Sequence, residues 1–175
     1  MKKFELTNEF ITNMFGTKLF RIRALVEFGD VEAGELGGYV EKESNLGHDD
    51  NAWVYDNAWV YGNARVYGDA RVYDNAWVYG DAQVSGDAWV YGNAWVYGNA
   101  RVCGNGDYAY AHGFGSVNRT TTFFRLKDGG VGVRCGCFYG TLAQFRDKIR
   151  ETHGETKKAQ EYLMLADLMK LRFEK

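Results

Sequence analysis

NAWVYD NAWVYG NARVYG DARVYD NAWVYG DAQVSG DAWVYG NAWVYG NARVCG is the sequence of residues 51–104, which are nine hexapeptides without a break. Each unit is a variation on Asn/Asp-Ala-x-Val-Tyr-Gly. Self-similarity at a fixed short period indicates a solenoid, in which each unit stacks on its neighbours. The repeat therefore predicts a coil with flat, repetitive outer faces and no deep pocket.

The side chains of each hexapeptide divide between an inner and an outer side. Ala and Val are two residues apart, so both point to one side of an extended strand, where small and branched side chains suit a narrow interior. The residue between them (Trp, Arg or Gln) and the residue after Val (mostly Tyr) point to the other side. Gly or Asp, followed by Asn or Asp, occupies the turn, because these residues tolerate positive φ best. The tryptophans and tyrosines are therefore expected outside.

These units resemble the hexapeptide-repeat family, in which a small residue follows an aliphatic one after four positions, as Ala follows each Val here. The resemblance implies a short left-handed parallel β-helix with three hexapeptides per triangular coil. Residues 51–104 would then form three full regular coils, with degenerate coils beside them. At a strand spacing of about 4.8 Å, the regular coils would rise only about 14 Å.

A period of eighteen residues sorts the outward residues into three faces. Face one carries Trp53, Arg71 and Trp89 with Tyr55, Tyr73 and Tyr91. Face two carries Trp59, Trp77 and Trp95 with Tyr61, Tyr79 and Tyr97. Face three carries Arg65, Gln83 and Arg101 with Tyr67, Ser85 and Cys103. Six aromatic side chains on face two would remove on the order of 900 Å² from water if covered, so we expect the C-terminal module, a second copy or a partner to cover them.

Residues 1–50 predict an N-terminal β segment that caps the coil. Lys18–Phe28 alternates apolar and polar residues with a period of two, which indicates a strand with one buried face. Gly29-Asp30, Gly34, Gly37 and Gly38 then indicate turns. The β-helix is assigned to residues 51–119, because the repeat decays only gradually after Gly104.

Residues 120–175 predict a small C-terminal α+β module of two strands and two helices, ββαα. Thr121–Lys127 and Val131–Cys137 flank a glycine turn and predict a hairpin. Thr141 and Gln144 have the spacing of a capping box, so Thr141 is expected to begin the first helix. Thr156–Phe173 carries an apolar stripe and predicts the second. The expected fold class is therefore mainly β, with a β cap before the β-helix and an α+β module after it.

The flanking segments carry a more specific resemblance than the repeat does. RIRALVEFGDVEAGELGGYVEKESNL (21–46) resembles the start of YdcK-type bacterial hexapeptide-repeat proteins and of many phage and prophage proteins. GFGSVNRTTTFFRLKDGGVGVRCGCFYGTL (113–142) and ETHGETKKAQEYL (151–163) are similar to the C-terminal module of those phage proteins. The resemblance implies a bacterial or phage origin, and it brings no assigned activity or catalytic residue.

Composition restricts the compartment and the class of partner. The formal net charge is −2, from 21 basic and 23 acidic residues, which disfavours a dedicated nucleic-acid or membrane-surface protein. Three cysteines are an odd number, and the first residues lack the apolar core of a signal peptide. We therefore expect a reduced bacterial cytoplasm, no membrane association and no cofactor.

Acyl transfer is the main enzymatic alternative, since many hexapeptide-repeat proteins are acyltransferases with a catalytic His. The repeats contain no His, and the nearest candidate is His112. No metal site is predicted, because the three histidines share no ligand spacing. Cys135 and Cys137 are interpreted as ordinary half-buried residues, and Asp56 and Asp74 as solvated turn carboxylates.

The sequence favours a non-catalytic binding or scaffold protein, encoded by a phage or prophage, that uses an aromatic face of the β-helix first for self-assembly and then for partner recognition. Homo-oligomer formation is expected. A counter-defence protein that sequesters a host protein or a small nucleotide stays open, and so does acyl transfer. The residues predicted to bind a partner or a second copy are Trp59, Tyr61, Trp77, Tyr79, Trp95, Tyr97, Trp53, Trp89 and Arg71.

Overall fold

Three antiparallel strands begin the chain. The computed structural model describes residues 1–115 and 117–174, and its first strands are β1 (Phe4–Thr12), β2 (Lys18–Ala24) and β3 (Leu36–Val40). They pair in the order β1-β2-β3. Gly37 and Gly38, predicted as turn residues, lie in β3. A Cβ atom at Gly37 would lie 2.5 Å from the carbonyl oxygen of Val54, so the glycine lets β3 pack directly on the first coil.

Each hexapeptide of the repeat contributes one two-residue strand, as the period of six predicts. The nine strands are β4 (Trp53–Val54), β5 (Trp59–Val60), β6 (Arg65–Val66), β7 (Arg71–Val72), β8 (Trp77–Val78), β9 (Gln83–Val84), β10 (Trp89–Val90), β11 (Trp95–Val96) and β12 (Arg101–Val102). They form three parallel stacks with an eighteen-residue step: β4-β7-β10, β5-β8-β11 and β6-β9-β12. The second stack pairs with β3 and so continues into the N-terminal strands as one six-stranded sheet, in the order β1-β2-β3-β5-β8-β11. The predicted sorting into three faces is confirmed.

The inside of the coil is built from the two small residues of the repeat. Every Ala and Val of the nine hexapeptides is 0% exposed, and together they form one continuous core. A preceding, degenerate coil adds to this core, because Val40 pairs with Val60 and Leu46 with Val66. The solenoid therefore has about four turns, and its degenerate coil precedes the regular ones, in the segment that was predicted to be the N-terminal cap.

Corner carboxylates link successive coils through their turns. Asp56 and Asp74 have φ of 52° and 60°, in the left-handed region. The Asp56 carboxylate accepts the Asp74 N–H at 3.3 Å, and the Asp74 carboxylate accepts the Gly92 N–H at 3.0 Å. Asp56 and Asp74 are therefore turn residues, as predicted, and each carboxylate also binds the backbone of the next coil.

The C-terminal module contains a four-stranded antiparallel sheet where two strands were predicted. Its strands are β13 (Tyr108–Phe114), β14 (Arg119–Arg125), β15 (Val131–Cys135) and β16 (Phe138–Thr141), in that order. β13 falls in the segment assigned to the decaying repeat, but it pairs antiparallel with β14. Two helices follow, α1 (Leu142–His153) and α2 (Lys157–Phe173). The Thr141 hydroxyl accepts the Gln144 N–H, so the predicted cap is present.

Both ends of the coil are covered by the flanking segments. At the first end, Phe4, Ile22 and Val31 join the core of the solenoid. At the other end, Tyr108, Phe124 and Leu126 do the same. The predicted caps are therefore present, and they protect edges that would otherwise expose unpaired backbone groups. Within the described residues, no helix is both long enough and apolar enough to cross a membrane.

Trp53 is a correction to the predicted outer surface. Its side chain is fully buried, because Phe28 and Phe4 pack edge-on against the indole with ring centroids 5.3 and 6.2 Å away. The N-terminal segment folds over the start of face one and covers this position. Trp53 is therefore part of the core and is not available to bind a partner.

Candidate functional site

Face two carries a continuous ladder of stacked tryptophans. The centroids of Trp59 and Trp77 are 4.4 Å apart with planes at 9°, and those of Trp77 and Trp95 are 4.8 Å apart at 3°. The strand spacing of about 4.8 Å brings the ring faces into contact. All three side chains are half-buried as a result. The apolar area left on face two is therefore much smaller than six separate rings would expose.

Two arginines from outside the repeat flank the tryptophan ladder, one beyond Trp59 and the other at Trp95. Arg21 lies 5.2 Å from the centroid of Tyr39, the register partner of Trp59, and donates a 2.9 Å hydrogen bond to the Tyr39 hydroxyl. Arg134, from β15, lies 5.2 Å from the Trp95 centroid and donates to the Tyr79 hydroxyl at 3.3 Å. Face two is thus partly covered by its own chain, and coverage by a second chain stays a prediction.

The tyrosines of face two form a second stack beside the tryptophans. Tyr61 and Tyr79 are 4.9 Å apart, and Tyr79 and Tyr97 are 4.4 Å apart. Leu19 packs against Tyr61, which is only 8% exposed, and burial raises the Tyr61 pKa well above its usual range. Tyr139 meets Tyr97 edge-on at 4.8 Å. These contacts give the predicted residues of face two a packing role.

Face one has an interrupted ladder, because Trp53 is buried and Arg71 stands between it and Trp89. The Arg71 guanidinium donates to a carboxylate oxygen of Asp30 at 2.7 Å and lies 5.5 Å from the Trp89 centroid. The Tyr55 hydroxyl donates to the other Asp30 oxygen at 3.3 Å. Burial acts to raise the Asp30 pKa, but the hydrogen bond and charge of Arg71 outweigh it and hold that pKa below its ordinary value. Arg71 and Asp30 therefore form an ion pair at neutral pH.

The tyrosines of face one continue the row past the last coil. Tyr73 and Tyr91 stack at 5.5 Å, and Tyr91 meets Tyr110 of β13 edge-on at 5.9 Å. Trp89 and Tyr91 are 45% and 41% exposed, so they are the most open aromatic side chains of the repeat. Face one therefore presents aromatic surface that face two hides by stacking.

Two adjoining cavities follow face one and share Trp89, and we name them together the face-one groove. The first has a volume of about 200 Å³ and is lined by Asp30, Tyr55, Asp56, Arg71, Tyr73 and Trp89. The second has a volume of about 660 Å³ and is lined by Trp89, Tyr91, Asn105, Tyr108, Ala109, Tyr110 and Arg172. Volumes of a few hundred Å³ with aromatic walls and a few polar groups are typical of binding sites. The groove is acidic at the end of Asp30 and Asp56 and basic at Arg172.

Sequence reasoning identified Trp89 and Arg71 as binding residues, and the groove residues that it missed include Asp30, Tyr110 and Arg172. Asp30 was read only as part of a turn, and Tyr110 as part of the decaying repeat. Arg172 carried no signal at all, since it reaches the groove from the far end of α2. Its guanidinium donates to the carbonyl of Asn105 at 3.2 Å, which places it beside β13.

The candidate chemical residues lie away from the groove. His112 is exposed on β13, with Nδ1 2.9 Å from the Thr120 hydroxyl. Cys103, Cys135 and Cys137 are free thiols. Cys135 is half-buried, as interpreted from the sequence, whereas Cys137 is exposed. Among residues 1–115 and 117–174, no group of three His, Cys, Asp or Glu side chains is arranged to hold a metal ion.

Comparison with known proteins identifies the repeat. Residues 64–80 and 82–98 match the model of the YdcK beta solenoid repeat, which covers less than half of the chain. These residues lie in the regular coils, so the match and the observed sheets agree on a YdcK-like repeat protein. A search of curated proteins finds no match to the chain.

Proposed function

We propose that the chain is a non-catalytic binding and scaffold protein that associates with a second copy of itself through the face-one groove. The observation that carries the proposal is the exposure of Trp89 and Tyr91 beside the Arg71–Asp30 pair. Trp, Tyr and Arg are the side chains that most often dominate binding energy at protein interfaces. Trp89 and Tyr91 on face one are open to a partner, whereas the tryptophan rings of face two cover each other by stacking.

Charge favours a second copy as the occupant. A two-fold interface places one patch against the same patch of the partner in the reverse direction. At one end of the groove the Asp56 carboxylate lies beside the neutralised Arg71–Asp30 pair, and at the other end lies Arg172, so the reversed arrangement brings Asp56 of one copy towards Arg172 of the other. Self-association of this kind is consistent with the aromatic repeat acting as a scaffold.

The nucleotide alternative has less support from the same groove. Trp89 is a ring on which a base can stack, but Arg71 already lies over it, and Asp30 already neutralises the charge of Arg71. A phosphate next to Arg71 would also face the Asp30 and Asp56 carboxylates, and like charges repel. Acyl transfer depends on His112, whose observed partner is Thr120. Replacement of His112 would abolish turnover in that alternative and leave self-association unchanged in ours.

The phage or prophage origin and the bacterial cytoplasm also belong to the proposal. Their support is the likeness of both flanking segments to phage proteins and the presence of three free thiols among the described residues. A counter-defence role would add a host partner on the assembled protein, and self-association does not depend on it.

The test is the mass of the protein in solution, by light scattering or sedimentation, across a concentration series. We expect the native protein to be a dimer that weakens at high salt, and Trp89→Ser to be a monomer. Gln83→Ser is the matched control, since Gln83 occupies the same repeat position on face three. A native protein that is monomeric at every concentration, or a dimer that Trp89→Ser leaves intact, would overturn the proposal.

A further inference from the structure

A separate cavity, open to solvent on one side, lies on the C-terminal module between the hairpin β15–β16 and α1, with Tyr162 of α2 on its wall. Its volume is about 250 Å³. Polar residues on its wall include Arg119, Cys135, Cys137, Lys148, His153 and Tyr162, and apolar residues include Phe138, Phe145 and Ile149. A cavity of about 150 Å³ can hold benzene, so this one has room for a ring and a small charged group.

The charged residues on the wall of this cavity are all basic. They are Arg119 and Lys148, and no Asp or Glu of the described chain is among the lining residues. Lys148 is 2.9 Å from Glu151 on the neighbouring turn of α1, which offsets part of its charge. Arg119 has no hydrogen-bond or ion-pair partner among residues 1–115 and 117–174. The cavity therefore attracts anions, and Arg119 contributes most of that attraction.

The Arg119 guanidinium packs against Gly136, at the rim of the cavity. Gly136 and Cys137 form the two-residue loop between β15 and β16, and Gly136 has a φ of +57°. A Cβ atom at Gly136 would lie 1.8 Å from Nη1 of Arg119, so the guanidinium occupies the space that a side chain would need. Arg119 is thereby held against the loop that carries Cys137.

The inner wall of the cavity is ordered by hydrogen bonds. Cys135 Sγ accepts a hydrogen bond from the Thr121 hydroxyl at 3.2 Å, and the Tyr162 hydroxyl lies 3.9 Å from the same sulfur. Tyr162 donates to the carbonyl of Phe114 at 3.2 Å. Burial, with a smaller contribution from Cys135, raises the Tyr162 pKa to about 12, so this hydroxyl keeps its proton. The thiol and the phenol thus form a fixed wall behind the basic side chains.

We propose that this cavity is a binding site for a small organic anion, a carboxylate or phosphate on an apolar ring. Arg119 and Lys148 hold the anionic group, and Phe138 and Ile149 contact the ring. Cys135 and Cys137 lie at the same cavity and report its occupancy. This site is independent of the face-one groove and of self-association.

The first experiment compares two thiol reagents in a Cys103→Ser background, so that only the two cavity cysteines react. The reagents are the dianion 5,5′-dithiobis(2-nitrobenzoate) and neutral 4,4′-dithiodipyridine. Arg119→Gln should slow the anionic reagent about tenfold, because a cleft lined by one charge raises the local concentration of the opposite charge. It should change the neutral reagent less than about twofold, and Arg119→Lys should restore most of the anionic rate. Equal slowing of both reagents, or of neither, would overturn the proposal.

The second experiment measures binding through protection of the same thiols from neutral iodoacetamide. Benzoate and phenyl phosphate are the two anionic probes, and benzamide is the uncharged control of the same shape. We expect at least one anion to protect and benzamide to fail, with protection lost in Arg119→Gln; which anion protects better identifies the charged group. Equal protection by benzamide, or no protection by either anion in protein whose circular dichroism is native, contradicts the proposal. The Trp89→Ser protein should still be protected, which separates this site from the dimer.

Discussion

The guanidinium of Arg134 lies 5.2 Å from the centroid of the Trp95 indole, and this contact attaches the C-terminal sheet to the solenoid. The same side chain donates to the Tyr79 hydroxyl at 3.3 Å and to the Phe138 carbonyl at 3.1 Å. One residue therefore joins the tryptophan row, the tyrosine row and the final hairpin. Its position indicates that the last coil and the C-terminal module are stabilised together.

Replacement of Arg134 by alanine should loosen this junction. A half-buried cation–π contact with its hydrogen bonds stabilises the folded state by about 1–2 kcal/mol. In the Arg134→Ala variant, β15 and β16 should therefore exchange amide hydrogens faster, and the first coil should exchange at the native rate. Hydrogen exchange followed by mass spectrometry measures this difference. Arg150→Ala is the control, because Arg150 is exposed and its side chain pairs with Asp147 of its own helix. Uniform acceleration over the whole chain would contradict a local role.

Trp77 and Trp89 should differ strongly in their contribution to stability, although both follow Ala and precede Val-Tyr. Trp77 is stacked on both sides, so Trp77→Ala should lower the free energy of unfolding by about 3 kcal/mol. Trp89 is 45% exposed, and Trp89→Ala should cost less than about 1 kcal/mol. Denaturant titration of both variants, at a concentration low enough to keep the native protein monomeric, measures the difference. Equal losses would mean that the ladder on face two is not the more stabilising one.

Asp74 should tolerate glycine better than alanine. Its φ of 60° costs an alanine about 1 kcal/mol or more, and its carboxylate also accepts the Gly92 N–H at 3.0 Å. Asp74→Ala should therefore lower the free energy of unfolding by about 2 kcal/mol, and Asp74→Gly by about 1 kcal/mol, since glycine loses only the hydrogen bond. Asp74→Asn, which keeps an acceptor and tolerates this φ, should cost least. Thermal unfolding of the three variants gives the order, and a reversed order for alanine and glycine would refute the backbone explanation.

Lys3 should make stability rise with pH above neutrality. Its ammonium group is buried and donates to the carbonyl of Ala52 at 2.8 Å. Burial lowers the Lys3 pKa to about 8, although the charge of Asp50 opposes the shift. An unfolded lysine has a pKa of about 10.4, so above pH 8 the unfolded chain binds more protons and the free energy of unfolding increases with pH. Below pH 8 both states are protonated and the contribution of Lys3 is constant.

Urea titrations between pH 7.5 and 9.5 test this expectation. This range avoids the opposite effect of buried tyrosines such as Tyr55, whose pKa burial raises to about 12. Lys3→Met should abolish the rise and lower the free energy of unfolding at every pH in this range, because the carbonyl groups of Asp50 and Ala52 both lose their donor. If the free energy of unfolding of the native protein does not change with pH in this range, then Lys3 has the same charge in the folded and unfolded states and the prediction is wrong.

The interior and the three faces of the solenoid could be read from local pattern. In each hexapeptide the inward-facing Ala and Val are two residues apart and outward-facing residues follow each of them. The turn residues recur every six residues, so each hexapeptide specifies its own conformation. The cap at Thr141 was equally local, since its partner Gln144 is three residues away. β13 was assigned to the repeat because its alternation fits either sheet, and only its pairing with β14 distinguishes them.

The exposure of each outward residue was decided by tertiary structure. Trp53 and Trp89 occupy the same repeat position and the same face, yet one is fully buried and the other is 45% exposed. The difference comes from Phe4 and Phe28, which lie far away in sequence and fold over the first coil only. Arg172 likewise reaches the groove because α2 packs beside β13. A period of six determines which side chains face outward, but the flanking segments determine which of them water, or a second chain, can reach.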